Sequence, residues 1–108
     1  MQGISWTEVT VTGQSAHAGT TPMRLRHDPG FVAAAITTGV RAIATAMAGT
    51  QVATVGRCEF HPNLVNVVPA TVTLTVDLRN TDEGLLQQAE EVFAALCEQL
   101  AGEEGVTI

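Results

Sequence analysis

The sequence predicts an α+β domain in which two helices cover one face of a four-stranded antiparallel sheet. Three observations carry this. Residues 70–80 alternate without interruption: Val72, Leu74, Val76 and Leu78 share one face, and Thr71, Thr73, Thr75, Asp77 and Arg79 the other. That is the pattern of a strand with one buried face. Two segments opening at Asp28-Pro29 and Thr81-Asp82 carry apolar residues at helical spacing. Segments rich in Val, Thr and Ile stand before, between and after them.

The elements follow in order. Residues 4–12 read as strand one, with Val9 and Val11 on one face and Ile4 and Trp6 on the other, so both faces are expected to be partly covered. Gly13 opens a long connection through residues 13–28, poor in charge until Arg24 and with His17 near its middle. Connections of this length in a small domain are usually functional or disordered.

Asp28 then offers its carboxylate to the free N–H groups of a first helical turn. Pro29 sits where no N–H is needed. Val32, Ile36, Val40, Ile43 and Met47 form the apolar stripe of helix one, and Gly49 is its expected C-cap. Residues 51–60 read as strand two and His61-Pro62-Asn63 as a turn. Pro69 interrupts the approach to strand three, so parity assigns Asn66 to no face. Thr81-Asp82 caps helix two, whose apolar face is Leu85, Ala89, Val92, Phe93, Leu96 and Leu100. Residues 105–108 begin strand four. The order β-α-β-β-α-β is the split βαβ, or ferredoxin-like, arrangement.

Composition narrows the function. The 108 residues carry 11 acidic and 5 basic side chains, a net charge of −6. All the basic residues are Arg. With three Phe, one Trp and no Tyr, the chain has little material for neutralising phosphates or stacking bases, so nucleic-acid binding is disfavoured. Cys58 and Cys97 fit no metal or redox spacing and read as buried hydrophobes in a reducing compartment. No uninterrupted apolar run reaches membrane-spanning length. With no signal-type N-terminus, a cytoplasmic location and no membrane partner are expected. Strand-like sequence begins at Ile4 and resumes at Val106, so residues 1–108 read as one domain from a longer polypeptide.

The candidate chemistry is sparse. His17 alone reads as a solvated loop histidine; the alternative is a donor or proton carrier for a substrate held elsewhere. Arg79 and Asp77 read as a surface ion pair, or Arg79 as a carboxylate fork. Asn66 reads as a turn residue, or as an amide donor to a carboxylate. His17, His27 and His61 lack ligand spacing, so no metal site is expected within the domain.

The run Gly13-x-x-Ala16-His17-Ala18-Gly19-Thr20-Thr21-Pro22-Met23-x-x-Arg26-x-Asp28 closely resembles the lid-domain signature of a hydrolase family. Its members are N-carbamoyl-L-amino acid hydrolases, allantoate amidohydrolases and β-ureidopropionases. They lie within the aminoacylase- and carboxypeptidase-like metallopeptidase superfamily. Thr54-Val55-Gly56, Asn63-x-Val65-Asn66-Val67-Val68-Pro69 and Asp77-Leu78-Arg79 extend the resemblance over nearly the whole chain.

The resemblance implies a lid and dimerisation domain of a two-domain metallohydrolase. It implies two divalent ions, zinc or manganese, in a catalytic domain of the same polypeptide, and a homodimer formed through the lid. It implies that His17 reaches an active site, that of the partner subunit, to polarise the scissile carbonyl. Asn66 and Arg79 would bind the carboxylate of a small ureido substrate. The lid alone is expected to be inactive. A stand-alone ferredoxin-like module binding an amino acid is the alternative, since fold by itself does not fix function.

Overall fold

The computed structural model describes residues 3–108. The central element is β5 (Thr71–Asn80), which pairs antiparallel with β1 (Gly3–Thr12) on one side and with β3 (Val52–His61) on the other. The sheet order is β1-β5-β3. A two-stranded ribbon, β2 (Ala16–His17) with β4 (Val67–Val68), stands apart from it. Helix α1 (Pro29–Met47) and helix α2 (Glu83–Glu104) pack on one face.

The alternation in β5 is realised without exception. Val72, Leu74, Val76 and Leu78 are buried, and the residues between them are half-buried on the outer face. The buried row meets Val9 and Val11 of β1, Val32, Ile36, Val40 and Ile43 of α1, and Leu86, Ala89 and Phe93 of α2 in one core. A core of this kind is the main source of stability in a chain this small.

Both helix starts behave as their sequence dictates. Asp28 accepts hydrogen bonds from Gly30 N (2.9 Å) and Phe31 N (3.3 Å), with Pro29 at the first helical position. Asp82 accepts from Leu85 N at 3.1 Å. At the far end of β5 the buried Asn80 donates to Gln51 Oε1 (2.9 Å) and accepts from Asp82 N (2.8 Å) and Thr50 Oγ1 (3.1 Å). One side chain thereby ties the entry to β3 to the start of α2.

Six expectations are corrected. The buried face of α2 is Leu86, Ala89, Phe93 and Leu100, while Leu85 and Val92 are exposed because the helix turns their row past the sheet. Ile4 and Trp6, expected to be partly covered, are exposed, since both helices lie on the other face. The fourth strand is a single bridge, Thr12 with Thr107; the sheet among the described residues has three strands. The outer edge of β1 borders a cavity of about 450 Å³ lined by Thr7, Val9, Phe93 and Cys97. Helix one is capped by Ala48 rather than Gly49: Ala48 takes a positive φ of 54°, and its N–H reaches Ala44 O.

Cys58 is exposed and Cys97 half-buried. A bulge between Val55 and Cys58 inserts one extra residue, shifting the core-side set of β3 from odd to even positions and leaving Cys58 on an uncovered edge strand. Partial burial still raises both thiols above the usual range. Lastly, α1 is long and apolar enough, at 19 residues and a mean hydropathy of 1.4, to cross a membrane. Its largest aliphatic side chains are instead committed to the sheet.

Leu74→Ala is expected to lower unfolding free energy by about 2–5 kcal/mol, and Asp28→Ala by about 1 kcal/mol. Urea unfolding of the 108-residue chain measures both.

Candidate functional site

The connection after β1 is built rather than loose. Gly13 begins it by donating to Ala70 O at 2.9 Å, and a Cβ there would stand 2.3 Å from His27 O. Only glycine allows the two backbone segments that close. Ala16 and His17 then pair with Val68 and Val67, and Ala18 N donates to Asn66 O at 2.9 Å. A short 3₁₀ turn, Met23–Leu25, follows. Arg26 closes the loop from inside, donating from Nε to Thr21 O (3.0 Å) and from Nη2 to Ala18 O (2.6 Å). The expected irregular loop is therefore a hydrogen-bonded lobe.

Within this lobe the His17 ring has a defined tautomer. Its Nδ1 accepts the Gly19 N–H at 3.0 Å. A ring nitrogen that accepts carries no proton, so the neutral imidazole holds its proton on Nε2. The ring is exposed, leaving Nε2–H free as an outward donor. Gly19 matters here too, since a Cβ would press on His17 Cε1 at 3.2 Å. Asn66 lies beside this lobe, on the exposed turn leading into β4.

Arg79 is elsewhere. It sits at the far end of β5, opposite Ile4 and Val52. The lobe adjoins the other end, near Thr71. Eight positions of extended strand separate Thr71 from Arg79, about 26 Å at roughly 3.3 Å per residue. The long axis of the chain, 50 Å, accommodates this. The structure thus brings His17 and Asn66 together and holds Arg79 apart from both. One copy of this domain places no single small ligand on all three.

Arg79 is oriented by its neighbour. Nε donates to Asp77 Oδ1 at 2.9 Å and Nη2 to Asp77 Oδ2 at 3.0 Å. This two-point bond uses one edge of the guanidinium and leaves the terminal edge for a second acceptor. Hydrogen bonding from Arg79 holds the Asp77 carboxyl below the usual carboxylate range. The same pairing raises Arg79.

Sequence reasoning passed over two residues. Arg26 was visible only as a motif position, because its targets are backbone carbonyls that leave no trace in sequence. Gly19 was one of several small residues, and its contact with the ring appears only once the turn is folded. His27, read as decoration of the helix cap, lies with Nδ1 3.2 Å from Glu104 O at the end of α2.

Among the described residues no three His, Cys, Asp or Glu side chains gather to hold a metal ion.

The chain is thus an α+β unit with the His17 lobe at one end of β5 and the Asp77–Arg79 pair at the other. The chain belongs to the peptidase dimerisation domain family, which it matches over residues 1–105. It is 38% identical over 103 residues to an N-carbamoyl-L-amino-acid amidohydrolase of Rhizobium meliloti, covering 92% of this chain and 25% of that protein. It is 41% identical over 96 residues to an allantoate amidohydrolase of Escherichia coli, covering 85% and 23%. A crystal structure of an amidase of the hydantoinase/carbamoylase family from Burkholderia multivorans superposes with a TM-score of 0.96 at 39% identity, covering 98% of this chain and 26% of that one. The chain spans about a quarter of the length of these relatives.

The tautomer is directly testable. In ¹⁵N-correlated NMR of the 108-residue chain at neutral pH, His17 should show a protonated Nε2 and an unprotonated Nδ1. Arg26→Ala should mix the two forms, with the urea midpoint changed little. For Asp77, the folded carboxyl lies below its unfolded value, so the stabilisation is present above about pH 4 and is lost as pH falls through the folded value. Asp77→Asn should therefore remove part of the acid-side loss of stability, read as urea midpoints at pH 7 and pH 3.

Proposed function

We propose that this chain is the lid and dimerisation domain of a metal-dependent amidohydrolase cleaving the C–N bond of an N-carbamoyl amino acid or related ureido acid. The observation that carries this is the His17 tautomer: an Nε2–H donor held by Gly19 at the tip of a stapled lobe. Such a donor stabilises negative charge as it develops on a carbonyl oxygen under attack. The relatives named above supply the substrate class.

The separation of Arg79 from His17 supports a site assembled from two subunits. In this reading, one protomer contributes His17 and Asn66 and its partner contributes Arg79. His17 donates to the scissile carbonyl, while Asn66 and the free edge of Arg79 fix the substrate carboxylate. Positioning of this kind lowers the entropic part of the barrier. The segments that form the His17 lobe also carry Met23, Leu64 and Val65, all strongly exposed, which suits insertion into a cleft of another subunit.

Dimerisation would use the unpaired edge of β3 together with the Ala- and Thr-rich outer face of α1, beside it. Edge pairing across a two-fold axis removes an otherwise exposed strand edge. The divalent ions implied by the resemblance, zinc or manganese, belong in this reading to the part of the parent outside this chain. No step involving them falls to these residues.

In the full-length parent, His17→Ala should lower kcat about 10²–10³-fold, the scale for losing one oxyanion donor. Arg79→Ala should chiefly raise KM. Mixing the two variants should restore activity, because a heterodimer then holds one site with both residues intact. Steady-state kinetics of the mixed subunits checks this; no restoration would place both residues in one subunit's site.

A further inference from the structure

The outer face of the sheet carries apolar residues where a solvated face would carry polar ones. Ile4, Trp6 and Val52 are 57%, 60% and 49% exposed. They are not scattered. The register places Ile4 and Val52 directly opposite Arg79, one on each side, and Trp6 directly opposite Asp77. Directly opposed side chains lie about 4.5–5.5 Å apart at Cβ, and diagonal ones about 7–8 Å, within reach of an indole. The guanidinium is therefore flanked on both sides by aliphatic side chains, with an aromatic ring on the neighbouring row.

The charged pair within this patch limits what can cover it. A protein surface packed on Ile4, Trp6 and Val52 would also bury Arg79 and Asp77. Burying that pair removes it from water and leaves the terminal edge of the guanidinium without an acceptor wherever the covering surface brings none. A small ligand that brings its own carboxylate satisfies that edge and covers the aliphatic flanks with its own apolar atoms. The distances suit an α-substituted acid. With the carboxylate on Arg79, a side chain branching one bond away falls over Ile4 or Val52, and a longer or aromatic one reaches Trp6.

We infer that Ile4, Trp6 and Val52 form the side-chain subsite of the substrate. The preferred substrates are then N-carbamoyl α-amino acids with bulky apolar side chains, rather than glycine-like or polar ureido acids. This rests on the reading of Arg79 as the carboxylate fork. Trp6 is a specificity-determining residue in this account, and Asp77 a positioning residue that holds the fork between its apolar flanks.

The test uses the full-length parent and four compounds: N-carbamoyl-glycine, N-carbamoyl-L-leucine, N-carbamoyl-L-phenylalanine and allantoate. The readout is the ratio of kcat/KM for each apolar substrate to that for N-carbamoyl-glycine, which cancels any change in the folded fraction. The unsubstituted enzyme should favour the leucine and phenylalanine compounds. Trp6→Ala should lower that preference about tenfold or more, the scale expected for emptying part of an apolar pocket. Trp6→Phe should recover most of it.

A preference unchanged in Trp6→Ala, or an unsubstituted enzyme that favours glycine or allantoate, overturns the subsite. Arg79→Gln separates the two readings. If it weakens every carboxylate substrate while Trp6→Ala leaves the ratio alone, only the subsite fails. If Arg79→Gln leaves KM unchanged for all of them, the carboxylate fork itself is wrong.

Discussion

The register of β5 is the constraint on which the rest depends. Its period-two pattern commits Val72, Leu74, Val76 and Leu78 to the helices, and a slip of one residue would turn all four to the outer face. Because β5 is central, the same register sets β1 and β3 on either side. It therefore fixes which residues share the outer rows: Ile4 and Val52 with Arg79, Trp6 and Thr54 with Asp77. Core and candidate site are two faces of one choice. Asn80, buried at the end of the strand, secures that choice through hydrogen bonds on both sides. A buried amide that lost those partners would cost about 1–3 kcal/mol, so the end of β5 is pinned as firmly as its middle.

The lobe at the opposite pole is held by different means. It has little apolar burial of its own, and Val68 is its only buried residue among positions 14–26 and 62–68. Its order comes from backbone pairing with Val67 and Val68, from Arg26 bonding two carbonyls, and from the Gly19 N–H on His17. Hydrogen bonds of this exposed kind contribute modestly to stability but define geometry well. That division suits the parts: a sheet and two helices supply stability, and a stapled lobe presents one ring in one tautomer.

His17 and Arg79 stand at opposite poles, and the shared site proposed above rests on that separation: a domain dimerising through one edge would offer its two poles to two different sites. The Asp77–Arg79 pair fits the same view. As a part-exposed ion pair it adds little stability, yet it sets the direction of the free guanidinium edge.

Much of this was legible in the sequence. The alternation in β5, both helix caps and the apolar stripe of α1 are local consequences of side-chain chemistry, and the structure reproduces them at the same residues. The motif around His17 was equally plain. What the sequence left open is non-local. The fourth strand is one bridge because pairing needs a partner segment, which propensity does not report. Cys58 is exposed although a bulge turns it to the core side opposite Leu74, because this part of the edge strand β3 is left uncovered, and neither the bulge nor the edge position is written in local sequence. The His17 tautomer, the reach of Arg26 and the apolar flanks of Arg79 arise from groups distant along the chain. The sequence determined which residues turn inward and where helices start; the tertiary structure decided which of the outward residues meet, because only strand pairing converts position in the chain into position in space.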